Sequence, residues 1–241
     1  MARIVKKSND LEKKYKLTKF ATILCFLVSL GCFLTFAIRE SNDFSTPLLL
    51  GFAGGAALGG VIKQKCGIYR SGLDGEKVTA GIVSSLPDHY CGFQNLKITY
   101  DGKTSELDMV VVGLGGVFII ETKNLGGSIV GNYDSPQWSQ TKISQQGVPY
   151  SKSFQNPVKQ VGTHVYRLAN YLKSNGIDVH IKSMVYFANP TADLQLNGTL
   201  PTTPVFDAVS FSESDIHSYI TANEKRLSTD QIVKIVTLLK Q

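Results

Sequence analysis

Phe20 to Ile38, FATILCFLVSLGCFLTFAI, is an unbroken run of 19 uncharged residues, and it constrains the chain more than any other feature. About 20 apolar residues are what a helix needs to cross a bilayer of roughly 30 Å. Pro47 to Ile62 is a second uncharged run, shorter and crowded with Gly and Ala. Its Gly51-x-x-x-Gly55-x-x-x-Gly59 spacing lets a second helix approach closely. The two runs together predict a helical hairpin in a lipid bilayer, with spans near 20–38 and 47–62. A cleaved signal peptide is the rival for the first run, but a long segment precedes it and no small-x-small site stands before Arg39. A glycine-rich soluble segment is the rival for the second.

Lys and Arg set the orientation. Arg3, Lys6, Lys7, Lys13, Lys14, Lys16 and Lys19 precede the first run, and Lys63, Lys65 and Arg70 follow the second. The link between the runs has only Arg39, beside Glu40 and Asp43. Both termini are therefore expected to be cytoplasmic, on a multi-pass membrane protein. The chain divides into a basic N-terminus and anchor (1–70) and a soluble part (71–241). Residues 1–70 carry 11 Lys/Arg and 4 Asp/Glu, a balance of +7, and residues 71–241 carry 14 and 15, a balance of −1. The overall charge of +6 thus reports topology and attraction to anionic lipid, and is no argument for nucleic-acid binding.

Cys25, Cys32, Cys66 and Cys91 show neither a CxxC pair nor metal-ligand spacing, as expected in a reducing compartment. His89, His164, His180 and His217 are scattered, so neither a zinc site nor a Ser-His-Asp triad is legible, and structural or surface roles are the default.

Within the soluble part, Glu106-Leu-Asp-Met-Val-Val-Val and Val117-Phe-Ile-Ile-Glu-Thr-Lys123 flank Gly113-Leu-Gly-Gly116. Flanks rich in β-branched residues around a glycine-rich joint predict a β-hairpin. With Val112 opposite Val117, counting back places Asp108 opposite Glu121, and alternation puts Glu121 and Lys123 on one face. Two facing carboxylates in apolar surroundings need a cation. Two hard oxygen ligands suit Mg²⁺ or Mn²⁺, and such an ion is the equipment of phosphodiester hydrolysis, with Lys123 orienting water or stabilising charge on the phosphate. The bland alternative is a Lys-Glu-Asp salt-bridge cluster.

Around the hairpin, the sequence predicts a helix over Asp74–Leu86, a strand over Tyr90–Thr99 and a short strand near Ser128–Val130. Residues 131–155 are polar and read as a long loop or distorted β region holding Trp138, the one tryptophan. Asn156-Pro157 opens a helix that stops at Gly176. Strands follow at Val179–Ala188 and Val205–Phe211, then a helix from Ser212-Glu-Ser-Asp215 to Ala222 and a last one opened by Ser228-Thr-Asp230. This order indicates an α/β domain, a mixed sheet flanked by helices.

Gly72-x-x-Gly75-Glu76, Leu107-Asp108, Gly116-Val-Phe-Ile-Ile-Glu121-Thr-Lys123-Asn124, Trp138 and Asn156-Pro157-x-x-Gln160 occur in the order and rough spacing of the nuclease-related domain family, over about residues 71–187. The chain resembles that family, which is similar to the restriction-endonuclease-like superfamily with its PD-(D/E)XK core. The resemblance implies that Glu76 matches the first-helix acid, Asp108 the metal-binding Asp, Glu121 and Lys123 the Glu-x-Lys pair, and Gln160 a helical Gln after the core. Leu107 replaces the superfamily's Pro. It also implies a Mg²⁺-dependent (or Mn²⁺-dependent) nuclease held at the membrane, with Asp108 and Glu121 on the metal and DNA as the expected partner. RNA stays open as the substrate. So does a catalytically inactive module of the same fold that tethers nucleic acid or protein to the membrane.

Overall fold

The structure is a computed structural model describing residues 1–38, 45–144, 146–222 and 226–241. Arg39, Glu40 and Asp43, on which part of the orientation argument rests, lie outside the described residues. The chain forms two compact units, Asn9–Leu73 and Met1–Ser8 with Asp74–Gln241.

The Asn9–Leu73 unit is a helical hairpin. Helix α1 spans Asp10–Ile38, and α2 spans Ser45–Ser84, its residues from Asp74 onward falling in the other unit. Both helices are long and apolar enough to cross a membrane. The expected close approach is present: a Cβ on Gly51 would lie 2.9 Å from Cys32 Sγ, on Gly55 3.1 Å from Ser29 Cβ, and on Gly59 3.3 Å from Phe26. Ser29 Oγ donates to the Phe52 carbonyl at 2.8 Å, which satisfies a hydroxyl otherwise buried in the seam. The outer faces expose Phe20, Leu27, Leu50, Leu58 and Val61, surface that water disfavours.

The larger unit is mixed α/β with two sheets. Strands β1 (Arg3–Lys6), β2 (Cys91–Tyr100), β3 (Lys103–Gly113), β4 (Gly116–Lys123), β8 (Ile181–Phe187) and β10 (Val205–Asp207) form the first, in the order β1-β2-β3-β4-β8-β10. β2, β3 and β4 are an antiparallel meander, whereas β1 joins β2, β8 joins β4 and β10 joins β8 in parallel. Alternation along β4 sorts its side chains: Val117 and Ile119 enter a core with α3 (Pro157–Ser174) and α5 (Thr229–Lys240), and Phe118 and Ile120 enter one with α2 and α4 (Glu213–Thr221). A central strand covered on both faces reads as a continuous apolar run for this reason.

The polar stretch 131–155 is β structure, and this settles the loop-or-strand ambiguity. β6 (Gln137–Ile143) pairs with β5 (Gly127–Asn132), β7 (Pro149–Gln155) pairs with β6, and β9 (Ala192–Asn197) adds to β5, giving a second sheet in the order β7-β6-β5-β9. Trp138 anchors it, buried and stacked on Phe187 at 6.3 Å, with its indole N–H on the Asn132 carbonyl. Other boundaries also differ from the sequence reading. The 74–86 helix is the end of α2, and the strands at 179–188 and 205–211 shorten to β8 and β10.

Met1–Ser8, read above as part of the anchor segment, supplies β1. Ala2 is buried, and its N–H meets the Ser84 and Leu86 carbonyls. Arg3 stands beside Cys91 in the ladder. Deleting residues 2–7 is expected to cost about 2–3 kcal/mol, the burial of one aliphatic side chain with a few hydrogen bonds. Thermal unfolding checks this. Thiol labelling of buried Cys91 should accelerate in the same variant, and an unchanged melting temperature and labelling rate would show that β1 contributes nothing.

Candidate active site

The predicted hairpin register is present: Val112 pairs with Val117, and the ladder runs from Gly113↔Gly116 to Met109↔Ile120. The turn requires glycine for space, since a Cβ on Gly113 would sit 2.1 Å from the Tyr90 ring and on Gly115 2.2 Å from the Ile220 carbonyl oxygen. Beyond Met109 the ladder stops. The β2–β3 ladder also skips a pair, passing from Gln94↔Met109 to Leu96↔Leu107. Asp108 therefore lies where neither ladder holds β3. Its Oδ2 accepts the Thr122 N–H at 2.9 Å, fixing the carboxylate across the end of β4.

Glu121 and Lys123 follow Val117 and Ile119 on the α3 face. Lys123 Nζ donates to Glu121 Oε1 at 2.7 Å and to Gln160 Oε1 at 2.9 Å. Gln160 is placed by the start of α3. Asn156, completely buried, caps that helix by accepting the Val158 and Lys159 N–H groups, and its amide donates to the Tyr133 and Ser135 carbonyls. With every hydrogen bond of the Asn156 side chain satisfied, the first turn of α3 is locked to the loop before β6. One helical turn after Gln160 comes His164, whose Nε2 stands 3.5 Å from Glu121 Oε2. The sequence reading missed this residue. Its legible signal was the i, i+4 spacing from Gln160, which puts both on one helix face.

Glu76 belongs to the same group from the α2 side. Its Oε2 accepts from Asn95 Nδ2 at 2.9 Å and Gln94 Nε2 at 3.2 Å. Asn95 has φ 54, a left-handed conformation that asparagine tolerates, at the gap in the β2–β3 ladder opposite Asp108. Gly75 explains the close packing: a Cβ there would lie 2.8 Å from Asn124 Cβ and 3.3 Å from Thr122 Cγ2. The Thr79 and Thr122 hydroxyls, 2.8 Å apart, tie α2 to β4. Gln94 and Asn95 were not singled out in the sequence, though two adjacent amides inside an apolar strand mark them.

All five residues picked from the sequence thus form one connected group. Burial pushes the Asp108 carboxyl up to about 8, and the charges of Glu121 and Glu76 add to that, while the Thr122 N–H and Lys123 oppose it. Burial also works against ionisation of Glu121, but the His164 and Lys123 contacts outweigh it and hold this carboxyl below its ordinary range. Two close acids that differ in this way avoid their mutual repulsion by keeping one proton. Glu121 is 1% exposed, and its Oε2 lacks a hydrogen-bond partner among the described residues, as do both ring nitrogens of His164. No group of three or more His, Cys, Asp or Glu side chains among the described residues is pre-assembled to hold a metal ion.

The profile of the nuclease-related domain family matches residues 71–188. An uncharacterized protein of Bacillus anthracis is 33% identical over 110 residues, covering 45% of this chain and 49% of that protein. The chain therefore spans about half the length of the curated relative it matches. No solved structure matches. The family match encloses the whole site, from Glu76 on α2 to Gln160 on α3, and the chain accordingly carries a nuclease-related domain at residues 71–188.

Proposed function

We propose that this chain is a membrane-anchored, divalent-metal-dependent nuclease that hydrolyses phosphodiester bonds in DNA, with both termini in the cytoplasm. The observation that carries the reading is the Lys123 ammonium fixed between the Glu121 carboxylate and the Gln160 amide, beside a second, half-buried carboxyl at Asp108. A plain salt-bridge cluster has no use for Asp108, because Lys123 is already engaged by Glu121 and Gln160.

The donor set fits a hard cation. Asp108 and Glu121 offer carboxylate oxygens, Glu121 Oε2 is buried without a hydrogen-bond partner, and an ion that keeps most of its waters needs few protein ligands. Mg²⁺ or Mn²⁺ held by Asp108 and Glu121 would polarise a phosphoryl oxygen and acidify a bound water. The chain's own groups supply the rest. Lys123 orients the attacking water and stabilises charge on the phosphate, and Gln160 holds the ammonium in place. Glu76, fixed by Gln94 and Asn95, adds negative potential that favours the cation. The exposed apolar faces of the hairpin support a lipid partner, and the Lys and Arg residues before the apolar part of α1 and after the apolar part of α2 support the orientation.

The rival, an inactive tethering module, draws on the −1 balance of residues 71–241, since nonspecific nucleic-acid binding uses clustered cations. Inclusion of Met1–Ser8 in the same unit weakens it. Arg3, Lys6 and Lys7 enter and no acid does, while residues 71–73 carry no charge, so the balance becomes +2.

The test is cleavage of single- and double-stranded DNA and of RNA by the purified full chain in detergent, with EDTA, Mg²⁺ or Mn²⁺. Metal-dependent DNA cutting that co-purifies with the protein is expected, as is protection of the larger unit from protease added outside intact cells. Nucleic-acid binding without cutting in either metal would favour the tethering module.

A further inference from the structure

We infer that His164 is a ligand of the divalent cation, through Nε2 beside Glu121 Oε2, so that the site has a mixed nitrogen and oxygen donor set and prefers Mn²⁺ to Mg²⁺. The inference rests on the proposed metal site and specifies its ligands and its ion.

Three atoms carry it. His164 is 8% exposed and Glu121 1%, and Nδ1, Nε2 and Oε2 are all buried without a hydrogen-bond partner among the described residues. Buried polar groups are paired almost without exception, and an unpaired cluster calls for an ion or a water. The arrangement selects the ion. Glu121 divides its oxygens: Oε1 takes the Lys123 ammonium at 2.7 Å, and Oε2 faces Nε2 at 3.5 Å, at the long limit for a hydrogen bond. Two ligand atoms each about 2.1 Å from one cation lie about 3.0–3.5 Å apart. The separation of Oε2 and Nε2 falls within that range.

The scaffold keeps the imidazole there. Gln160 and His164 share one face of α3, whose start is locked by Asn156, and Gln160 reaches Lys123 as His164 reaches Glu121. One helix thus registers both halves of the Glu121-x-Lys123 pair. Imidazole is a poor partner for Mg²⁺, which demands oxygen, and a good one for first-row transition ions. Mn²⁺ accepts both donor types.

Mn²⁺ alone is the probe, with tag-free full-length protein in detergent, read by pulsed electron paramagnetic resonance. The expected result is one bound Mn²⁺ showing coupling to a ¹⁴N nucleus. That coupling should vanish in His164→Gln, with Mn²⁺ affinity falling on the order of tenfold or more. Mg²⁺ should compete for the site only at large excess. In Glu121→Gln the signal should be lost altogether, which assigns the nitrogen to this site and not to His89, His180 or His217. Mn²⁺ bound at the Glu121-dependent site without nitrogen coupling would overturn the inference and leave the nuclease reading standing. No Mn²⁺ binding by the unaltered chain would overturn both. Because the spectrum of the unaltered protein decides, a His164 variant that failed to fold would not shield the idea.

Discussion

Replacing Lys123 by alanine is expected to slow phosphodiester cleavage about 10²–10³-fold, the usual cost of removing one preorganised donor from a developing negative charge. The ammonium is held at 2.7 Å and 2.9 Å by groups on two different elements, so its position is set before substrate arrives. The substitution also leaves the Glu121 carboxylate, 1% exposed, without its ammonium partner. Stability of the metal-free variant should therefore fall, and saturating Mn²⁺ should recover most of it, because the ion compensates the same carboxylate. Rates are compared in saturating metal on protein shown by circular dichroism to be folded. A folded, metal-loaded variant with the rate of the unaltered chain would reduce Lys123 to a structural partner. Glu121→Gln should lose metal binding and cleavage together. Gln160→Ala should lose less, since it removes only one of two groups that hold the ammonium.

Asp108→Asn is expected to stabilise the metal-free protein at pH 8 and above while abolishing cleavage. Burial and the Glu121 charge raise the folded carboxyl to about 8 from an ordinary 3.8, so the folded state keeps a proton that the unfolded chain has released. The free energy of unfolding accordingly falls as pH rises across that window, with the stabilising contribution intact below 3.8 and lost by about 8. Asparagine resembles the protonated acid and should flatten this dependence. Glu121 works on the other side: its folded carboxyl lies below 4.5, so its contribution is lost only as pH drops beneath that value. Divalent metal should restore the stability of the unaltered protein at pH 8 and do little for the variant, because a cation replaces the proton as the relief of carboxylate repulsion. Melting temperatures from pH 4 to 9, with and without Mn²⁺, measure both effects. Equal pH dependence in the two metal-free proteins would mean that Asp108 is ionised in the fold and that the site lacks the frustration on which a cation would act.

The carboxylate pair and its lysine were legible because they depend on short-range rules, whereas Gln160 and Glu76 were picked out only by the family resemblance. Two-residue alternation around a glycine turn is enough to carry Asp108 to the end of β4 and to put Lys123 on the Glu121 side, although the ladder stops at Met109 and the Asp108 carboxylate meets the Thr122 N–H in place of a ladder pairing with Glu121. Asn156-Pro157 is likewise a local cap signal, and the Gly51, Gly55 and Gly59 spacing already marks the tight face of α2. The second sheet was less legible. β6 and β7 are dominated by polar residues, so no apolar alternation distinguishes them from a loop, and Trp138 gave the lone hint of a core. β1 lies beside a stronger signal, the basic flank of an apolar run, and a four-residue strand carries too little pattern to compete with it.

The sequence by itself determined which segments are apolar enough to leave water, where the chain turns, and which acid and base types share a strand face, because those are properties of neighbours along the chain. Only the tertiary structure decided that His164 meets Glu121, that Gln94 and Asn95 hold Glu76, that Gly75 lets α2 close on Asn124, and that β1 completes the sheet. Those contacts join residues far apart in sequence, and they follow from how helices cross a twisted sheet and where a ladder breaks, which no local periodicity encodes.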